Sequence, residues 1–337
     1  MATTAPPPLD LCTVLTESKR IINAHSRHFL ALSVFFLLPL SFSLTVYPTL
    51  QNLLASSSTP NSKISLSTSI LLDQDPSNFV TVKILVLSLL FSLFIFVFAL
   101  LAVGSITYSV LHGFYGRPVK LVASIRSALI SFFPLLVTTI LAQIIVLAIF
   151  LVSGFFLFLV IMGIQLAGFQ VEFFSPYFTG FCVVVSIVLI LILVYLQLNW
   201  YLVGVLVAVE SSWGLEPLKR SSFLIKGMRG VALALLLFFG FLVGILLFIS
   251  SFSGITLGIG TNDGWKSCAF VVQIVVTSTL LMLLLLYHVA TNTVLYMYCK
   301  AVHGELAWEI AEEFAREYIS LPFDEGKVPH LVSVAYT

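Results

Sequence analysis

Charged residues are scarce in this chain of 337 residues, at 9% of the total, while 59% are hydrophobic. A soluble domain of this length has no core large enough to bury so many apolar side chains, so a single water-soluble domain is excluded. The charges lie in short clusters between long apolar runs, and a membrane-spanning helix needs about 20 mostly apolar residues. The composition therefore predicts an all-α, polytopic membrane protein.

Cysteine is also scarce. The four cysteines form no CxxC pair, and Cys182 and Cys268 lie in or beside apolar runs, so neither a disulfide framework nor a zinc site is indicated. The net charge is +1, and the basic residues form no domain-wide face of the kind that binds nucleic acid. We therefore expect no cofactor, no metal ion and no nucleic-acid partner.

Enzyme motifs are missing from the segments between the apolar runs. These segments hold no nucleophile elbow, no HExxH, no phosphate-binding glycine loop and no DxD-like metal site. Formal charges are also absent from the centres of most apolar runs, which argues against proton- or sodium-coupled transport. We predict a protein without catalytic residues that is not an enzyme.

Six membrane spans are predicted. A seventh span around 153–169 is conceivable, but it would reverse every later segment and remove the charge asymmetry described next. The N-terminal residues 1–9 contain three consecutive prolines and are expected to be disordered. The transmembrane domain is predicted at 10–304, and residues 305–337 form a tail. The spans are about 29–49, 80–106, 128–160, 177–206, 231–257 and 268–296.

Lysine and arginine fall mainly on one side of these spans. Thirteen lie on the side of the N-terminus and only Lys63, Lys83 and Lys266 on the other, so the positive-inside rule places both termini in the cytosol. The membrane is expected to be an endomembrane or the plasma membrane. The thirteen are Lys19, Arg20, Arg27, Arg117, Lys120, Arg126, Lys219, Arg220, Lys226, Arg229, Lys300, Arg316 and Lys327.

Two cytosolic segments have amphipathic helical patterns. Residues 10–27 place apolar side chains on one side, and the segment is expected to lie on the membrane surface ahead of the first span. Residues 304–319 form a helix with an acidic polar face. This acidic helix is expected to pack against the protein's own basic segments, or alternatively to recruit a protein partner.

The chain has the pattern of three helical-hairpin repeats. An aromatic residue and a glycine end a long apolar run at Tyr115–Gly116 and again at Trp213–Gly214, and a proline and basic residues follow each pair. The units would cover about 10–116, 117–214 and 215–304, each with a cytosolic amphipathic helix. The alternative is that any membrane hairpin has a basic turn with glycine and proline.

The stretch 205–230 is the most informative local sequence. It holds a basic cluster of Lys219, Arg220, Lys226 and Arg229, and each such cation near an anionic leaflet contributes about 1 kcal/mol of attraction. These residues are candidates for lipid-headgroup contact. Ser221 is a regulatory candidate, because phosphorylation would weaken that attraction. Three apolar side chains of the helix that starts here are expected to face lipid: Leu218, Phe223 and Leu224.

This stretch resembles a signature of plant multi-pass membrane proteins of unassigned function. It is also similar to the membrane domain found with some bacterial glycerophosphodiester phosphodiesterases. The usual alanine before the basic residues is replaced by Pro217-Leu218, and the bacterial catalytic domain is a separate soluble module that this chain does not supply. The resemblance implies a shared six-span layout and says little about activity, and the enzymatic function of the bacterial proteins is not carried over to this chain. The matching residues are Trp200, Glu210, Gly214, Arg220, Ser221, Leu224, Lys226 and Gly227.

A few polar side chains fall inside the spans. His288 and Asn292 lie four residues apart on one helical face, and Asn199 and Gln143 lie in other spans. They either line a cavity or form hydrogen bonds between helices. The leading hypothesis is a non-enzymatic protein of membrane organisation, lipid contact or partner scaffolding. The alternative is a transporter or channel for a neutral or amphiphilic solute that uses these four polar residues.

Overall fold

The computed structural model describes residues 10–57, 76–166, 176–258, 268–308 and 310–311. Within these ranges every regular element is a helix, as the composition predicts. Ten α-helices follow one another, and a π-helical segment at Ser33–Leu37 joins the second to the third. The helices are α1 Leu11–Ala24, α2 Ser26–Leu32, α3 Leu38–Ser57, α4 Pro76–Phe114, α5 Leu121–Leu166, α6 Pro176–Asn199, α7 Val203–Glu210, α8 Glu216–Leu224, α9 Arg229–Gly258 and α10 Cys268–Val302.

Among the residues that the structure describes, six stretches are long and apolar enough to cross a membrane, so the prediction of a six-span, multi-pass protein is confirmed at this level. They cover Ser26–Pro48, Ile84–Phe114, Leu121–Leu166, Phe178–Glu210, Arg229–Phe252 and Phe270–Val302. Helix α5 runs without a break from Leu121 to Leu166, through the described part of the region where a seventh span was conceivable. Its 46 residues measure about 69 Å, more than twice the thickness of a bilayer's hydrocarbon core.

The helix ends differ from the predicted spans in two ways. Several helices continue beyond the hydrophobic run, so that α4 reaches Phe114 and α5 begins at Leu121, because backbone hydrogen bonding does not stop where hydropathy falls. The predicted fourth span is also not one helix. It breaks after Asn199 and resumes at Val203, which separates α6 from the short α7.

The packed core lies at one end of the bundle. This basic end, as we call it, consists of α1, α2 and the π-helical segment, the end of α4, the start of α5, α7, α8, the start of α9 and the end of α10. Helix α10 is central and packs on α1, α3, α4, α7, α8 and α9. Its last turns are almost wholly buried, with Val294, Leu295 and Tyr296 fully covered.

Helix α1 belongs to this core. Its fully buried Val14 and Ser18 face the bundle, and the Ser18 hydroxyl lies 3.2 Å from that of Thr291 on α10. The expectation that this segment lies on the membrane surface placed its apolar side against lipid. In the structure that side packs instead on α10 and α4. These helices offer α1 a protein surface that is out of contact with water, as lipid would be.

Helices α5 and α6 lie at the periphery. The buried residues of α5 all fall between Ser124 and Thr138, and the apolar side chains in the remaining turns of the helix are exposed or half-buried. Helix α6 packs mainly on α9 and α8, whereas α5 packs on α4 and α7. Because the two helices have different neighbours, a groove remains between them.

Several predictions fall outside the described residues. These are the disordered segment 1–9, most of the loop between the first two spans, and the greater part of the acidic helix at 304–319. The start of that helix is described, and residues 305–308 are helical. In the second of the three proposed repeat units no separate helix precedes α5, and the repeat itself stays a prediction.

Candidate functional site

The break between α6 and α7 organises the candidate site. The amide of Val203 donates to the carbonyl oxygen of Trp200 at 3.1 Å, so the carbonyl of Asn199 loses its usual helical donor. The hydroxyl of Ser221 on α8 donates to that carbonyl oxygen at 2.8 Å. A backbone acceptor left unpaired at this depth would cost free energy, so Ser221 makes the break tolerable and fixes α8 against it.

Arg220 lies between two carboxylates. Its Nε donates to Oε2 of Glu210 at 2.8 Å, and its Nη2 donates to Oε2 of Glu305 at 2.6 Å. Hydrogen bonds to Glu210 and then to Glu305 raise the pKa of Arg220 above its ordinary value, and desolvation opposes them. The guanidinium therefore stays charged. It joins Glu210, at the end of α7, to Glu305, which lies three residues after the end of α10.

Two further residues of α10 complete this cluster. The hydroxyl of Tyr296 donates to Oε1 of Glu210 at 2.8 Å, and Nζ of Lys300 lies 4.0 Å from the same oxygen. Lys300 is 4% exposed. The cations of Arg220 and Lys300 therefore face the carboxylates of Glu210 and Glu305, and the net charge of the cluster is zero. Such an arrangement is suited to a structural role.

A basic groove opens on the other side of α8. It has a volume of about 420 Å³, and the exposed cations Lys219, Lys226 and Arg229 line it together with Asn199 and Trp200. Among the described residues, no carboxylate lines this groove. Within that part of the chain the positive charge of the groove has no counter-charge in its walls, in contrast to the cluster around Arg220.

An apolar groove continues from the basic groove along α5 and α6. Its volume is about 740 Å³, and Ile145 lines both grooves. Its other walls are aliphatic side chains and one phenylalanine, with Ser153 as the single hydroxyl. The lining residues are Ile145, Ala148, Ile149, Val152, Ser153, Phe156, Val184, Val185, Val188, Leu189 and Ile192.

A third cavity lies on the opposite side of Trp200, between α6, α9 and α10. We call it the polar cavity because four polar residues lie in its walls, although most of its lining is apolar. Its volume is about 650 Å³, and the four residues are Gln197, Tyr201, His288 and Asn292. The Asn292 amide nitrogen lies 3.4 Å from Nε2 of His288. The His288 ring also packs edge-on against Phe239, with ring centroids 5.1 Å apart.

The predicted lipid-contact residues divide into two groups. Lys219, Lys226 and Arg229 share the basic groove, whereas Arg220 is held by carboxylates. Ser221 is fully buried, so a regulatory modification there would require α8 to leave its place.

The expectation that three side chains of α8 face lipid is wrong for two of them. Leu218 and Leu224 are 4% and 0% exposed and pack inside the protein, while Phe223 is exposed. The reason is that α8 covers the broken end of α6 and also contacts α10, so its apolar side meets protein instead of lipid.

The signature residues have structural roles. Trp200 separates the basic groove from the polar cavity, and Glu210 anchors the ionic cluster. Gly214 and Gly227 have φ angles of 84° and 101°, in the left-handed region that other residues rarely adopt. The Gly214 amide also donates to the Thr138 hydroxyl of α5 at 3.2 Å, which links the turn before α8 to a second helix.

The predicted intramembrane polar residues do not meet at one site. His288 and Asn292 line the polar cavity, Asn199 lines the basic groove, and Gln143 is exposed on α5. A transporter that uses all four in one cavity is therefore not the arrangement of this structure. Transport of a neutral or amphiphilic solute stays a prediction.

Sequence reasoning missed the partners of Arg220 and the role of Tyr201. Glu305 lies 85 residues from Arg220 along the chain, and only the general charge complementarity of the acidic helix and the basic segments pointed to it. In the sequence, Tyr201 beside Trp200 is equally typical of an interfacial aromatic belt. In the structure its hydroxyl is buried beside the polar cavity.

Comparison with known proteins identifies the family of the chain. No curated protein and no solved structure matches it. A family model described as a domain of unknown function, DUF8558, matches residues 8–315, which include every helix described above and most of the chain. The chain therefore belongs to the DUF8558 family.

Proposed function

We propose that this protein is a non-enzymatic membrane protein that binds an anionic phospholipid between α5 and α6, and that it acts through this lipid in membrane organisation. The observation that carries the proposal is the continuity of the basic groove with the apolar groove at Ile145. A phospholipid has the same sequence of parts, an anionic headgroup followed by acyl chains.

The headgroup end is supported by charge. Lys219, Lys226 and Arg229 are exposed at the basic groove, and its lining holds no carboxylate in the part of the chain that the structure describes. Lysine and arginine donate to phosphate oxygens, and their attraction to an anionic surface is about 1 kcal/mol each. The indole of Trp200 at the same level suits the boundary between headgroups and hydrocarbon.

The acyl-chain end is supported by length and by apolarity. On α6 the two grooves together extend from Val184 to Asn199, a rise of about 22 Å. One leaflet of the hydrocarbon core is about 15 Å thick. The combined groove is therefore long enough to hold an acyl chain through one leaflet while the phosphate stays beside α8.

Topology belongs to the same proposal. With thirteen of the lysines and arginines on one side, we place both termini and the basic groove in the cytosol, at an endomembrane or the plasma membrane of a plant cell. The ion pair between Arg220 and Glu305 supports docking of the acidic helix on the protein itself, ahead of recruitment of a protein partner. A tag on the C-terminus that is protected from cytosolic protease would contradict this orientation.

The test of lipid binding replaces the three cations of the basic groove. The variant Lys219→Gln, Lys226→Gln, Arg229→Gln, purified in mild detergent from membranes, should lose most of the anionic phospholipid that native mass spectrometry detects on the wild-type protein. The loss should be about tenfold or more, because three headgroup contacts are removed together. Added salt should weaken lipid binding to the wild type more than to the variant.

The matched control removes the same charge elsewhere. The variant Lys19→Gln, Arg27→Gln, Arg126→Gln changes three exposed cations that do not line the basic groove. It should keep the bound lipid. Equal loss in both variants would show that the lipid responds to net charge alone, and full retention in the groove variant would overturn the proposed site.

A further inference from the structure

The basic groove carries more positive charge than a simple phospholipid headgroup neutralises. Lys219, Lys226 and Arg229 line it together, and the described part of its walls holds no carboxylate. Among the described residues none of the three cations forms an ion pair. Lys226 contacts only an uncharged group, since its Nζ lies 5.9 Å from the centroid of the Phe223 ring. Three positive charges are therefore left for a ligand.

Neutral polar side chains of the groove are already engaged with the backbone. The Ser222 hydroxyl donates to the carbonyl oxygen of Lys219 at 2.7 Å, and the Asn199 amide nitrogen donates to that of Tyr195 at 2.9 Å. The charged N–H groups of the two lysines and the arginine are thus the main donors that the groove offers to a ligand. Hydrogen bonds from such groups are roughly twice as strong as neutral ones, so the cations decide which headgroup binds best.

Phospholipid headgroups differ in the charge that they bring to such a groove. A phosphodiester has one negative charge, so at least two of the three cations would stay without a counter-charge. A phosphomonoester has a charge of about −1.5 to −2 at neutral pH and three oxygens that accept hydrogen bonds. Choline, ethanolamine and serine headgroups each add an ammonium group, which the three cations repel.

We infer that the basic groove selects phospholipids whose headgroup ends in a phosphomonoester, such as phosphatidic acid, over phosphodiester lipids. This inference rests on the proposed phospholipid site and defines its substrate class. The volume of about 420 Å³ lies in the range of small-molecule sites, so the three cations share the space of a single headgroup. Lysine has a flexible stem, and arginine donates two bonds at once to a phosphate, so these side chains can adapt to one dianion.

The experiment compares two lipids that differ by one methyl group. Dioctanoyl phosphatidic acid has a phosphomonoester, and dioctanoyl phosphatidylmethanol has the same chains and a methylated phosphodiester. Equimolar amounts are added to the purified full-length protein in detergent, and native mass spectrometry counts the bound molecules of each. The wild type should bind the monoester about fivefold to tenfold better, because its second negative charge meets cations that the diester leaves unpaired.

Two triple variants test whether the charge of the groove causes this preference. Lys219→Gln, Lys226→Gln, Arg229→Gln should bind both lipids weakly and without preference. Lys219→Arg, Lys226→Arg, Arg229→Lys keeps all three charges and should keep most of the preference, whereas its loss there would show that charge is not the cause. The matched control that removes three cations outside the groove should keep the preference too.

Glycerol phosphate separates recognition of the headgroup from recognition of the acyl chains. It carries a phosphomonoester without acyl chains, so it should displace phosphatidic acid only at a concentration about a hundredfold higher, because the apolar groove holds the chains. Competition at the same concentration as the lipid would support recognition of the phosphomonoester and would contradict the acyl-chain part of the proposed function.

The inference and the proposed function fail in different ways. Equal binding of phosphatidic acid and phosphatidylmethanol to the wild type, with both lost in the glutamine variant, would overturn the inference and leave the phospholipid site standing. A preference that survives in the glutamine variant would also overturn it, since its cause would lie outside the basic groove. Equal amounts of both lipids on the glutamine variant and on the wild type would remove the phospholipid site itself.

Discussion

Helices α10 and α5 are both long and apolar, yet they have opposite positions in the molecule. Helix α5 has the more hydropathic sequence of the two, but its buried residues end at Thr138. Helix α10 is less hydropathic and carries buried residues from Phe270 to Lys300. In a membrane the most apolar surface gains nothing from leaving lipid, so hydrophobicity does not rank helices by burial as it does in water.

The difference lies in small and polar side chains. The buried turns of α10 contain Thr291, Thr293 and Cys299, and the buried part of α5 contains Ser124, Ala128 and Ser131. Small residues let helix backbones approach, and hydroxyls form hydrogen bonds across or within helices. The outer part of α5 has long aliphatic and phenyl side chains instead, which are suited to contact with lipid.

Among the variants that test this comparison, Arg220→Ala at the basic end is expected to cause the largest loss of stability. Removal of the guanidinium leaves Glu210 and Glu305 facing each other without their shared cation. Because all three side chains are partly exposed, we expect a destabilisation of about 2 kcal/mol, below the value for a fully buried pair. Thermal unfolding in detergent, followed by circular dichroism, should show a Tm several degrees lower.

The control for this variant is Arg126→Ala on α5, where the side chain is exposed. Its Tm should stay close to that of the wild type, since exposed surface substitutions have small effects. An equal Tm for the two variants would contradict the structural role of the ionic cluster. Ion pairs would then not contribute to the difference in packing between the basic end and the outer part of α5.

A glycine pair tests the packing difference. A Cβ added at Gly104 of α4 would lie 3.1 Å from Cα of Ala128 on α5, whereas at Gly154 of the outer α5 it would meet nothing within 4 Å. Gly104→Ala should therefore cost about 1 to 2 kcal/mol by separating two helix backbones. Gly154→Ala should be neutral or slightly stabilising, because alanine is the better helix former.

The measurement is the same thermal unfolding, with both variants in the same detergent. A lower Tm for Gly104→Ala together with an unchanged or higher Tm for Gly154→Ala would support the difference between packed and lipid-facing helix surfaces. If Gly104→Ala left the Tm unchanged while Gly154→Ala lowered it, the close approach of α4 and α5 would be refuted.

The smallest effect is expected at the helix break. Ser221→Ala removes the donor to the Asn199 carbonyl oxygen and leaves a buried acceptor unpaired, at a cost of about 1 kcal/mol. Ser222→Ala, the neighbouring control, removes only a bond from an exposed hydroxyl to the Lys219 carbonyl and should change stability by a few tenths of a kcal/mol at most. Hydrogen exchange at Val203 and Tyr201 should increase in the first variant alone.

The fold was predictable at the level of spans and less so at the level of helices. Long apolar runs are a strong signal, since only a membrane can cover them, and all six were found. The break after Asn199 was not predicted, because Trp200 and Tyr201 are common near membrane surfaces and nothing in them requires a helix to end. The break depends on Ser221, which comes from a different helix.

The candidate site was predictable in part. The basic cluster of α8 stood out by charge, and three of its four cations line one groove. The fourth, Arg220, looks the same in the sequence, but carboxylates from the end of α7 and from beyond α10 reach it. The polar cavity was not predictable, because Tyr201 in the break after α6 and Asn292 on α10 are far apart in the chain and line it only in the folded protein.

The sequence by itself determined that the chain is all-helical and has six stretches able to span a membrane, because hydropathy and helix formation act locally along the chain. Only the tertiary structure decided which cations are paired, which leucines of α8 are covered and which polar residues line a cavity. These properties depend on neighbours that are far apart in the chain, and in lipid such neighbours are selected by close packing and hydrogen bonding rather than by hydrophobicity.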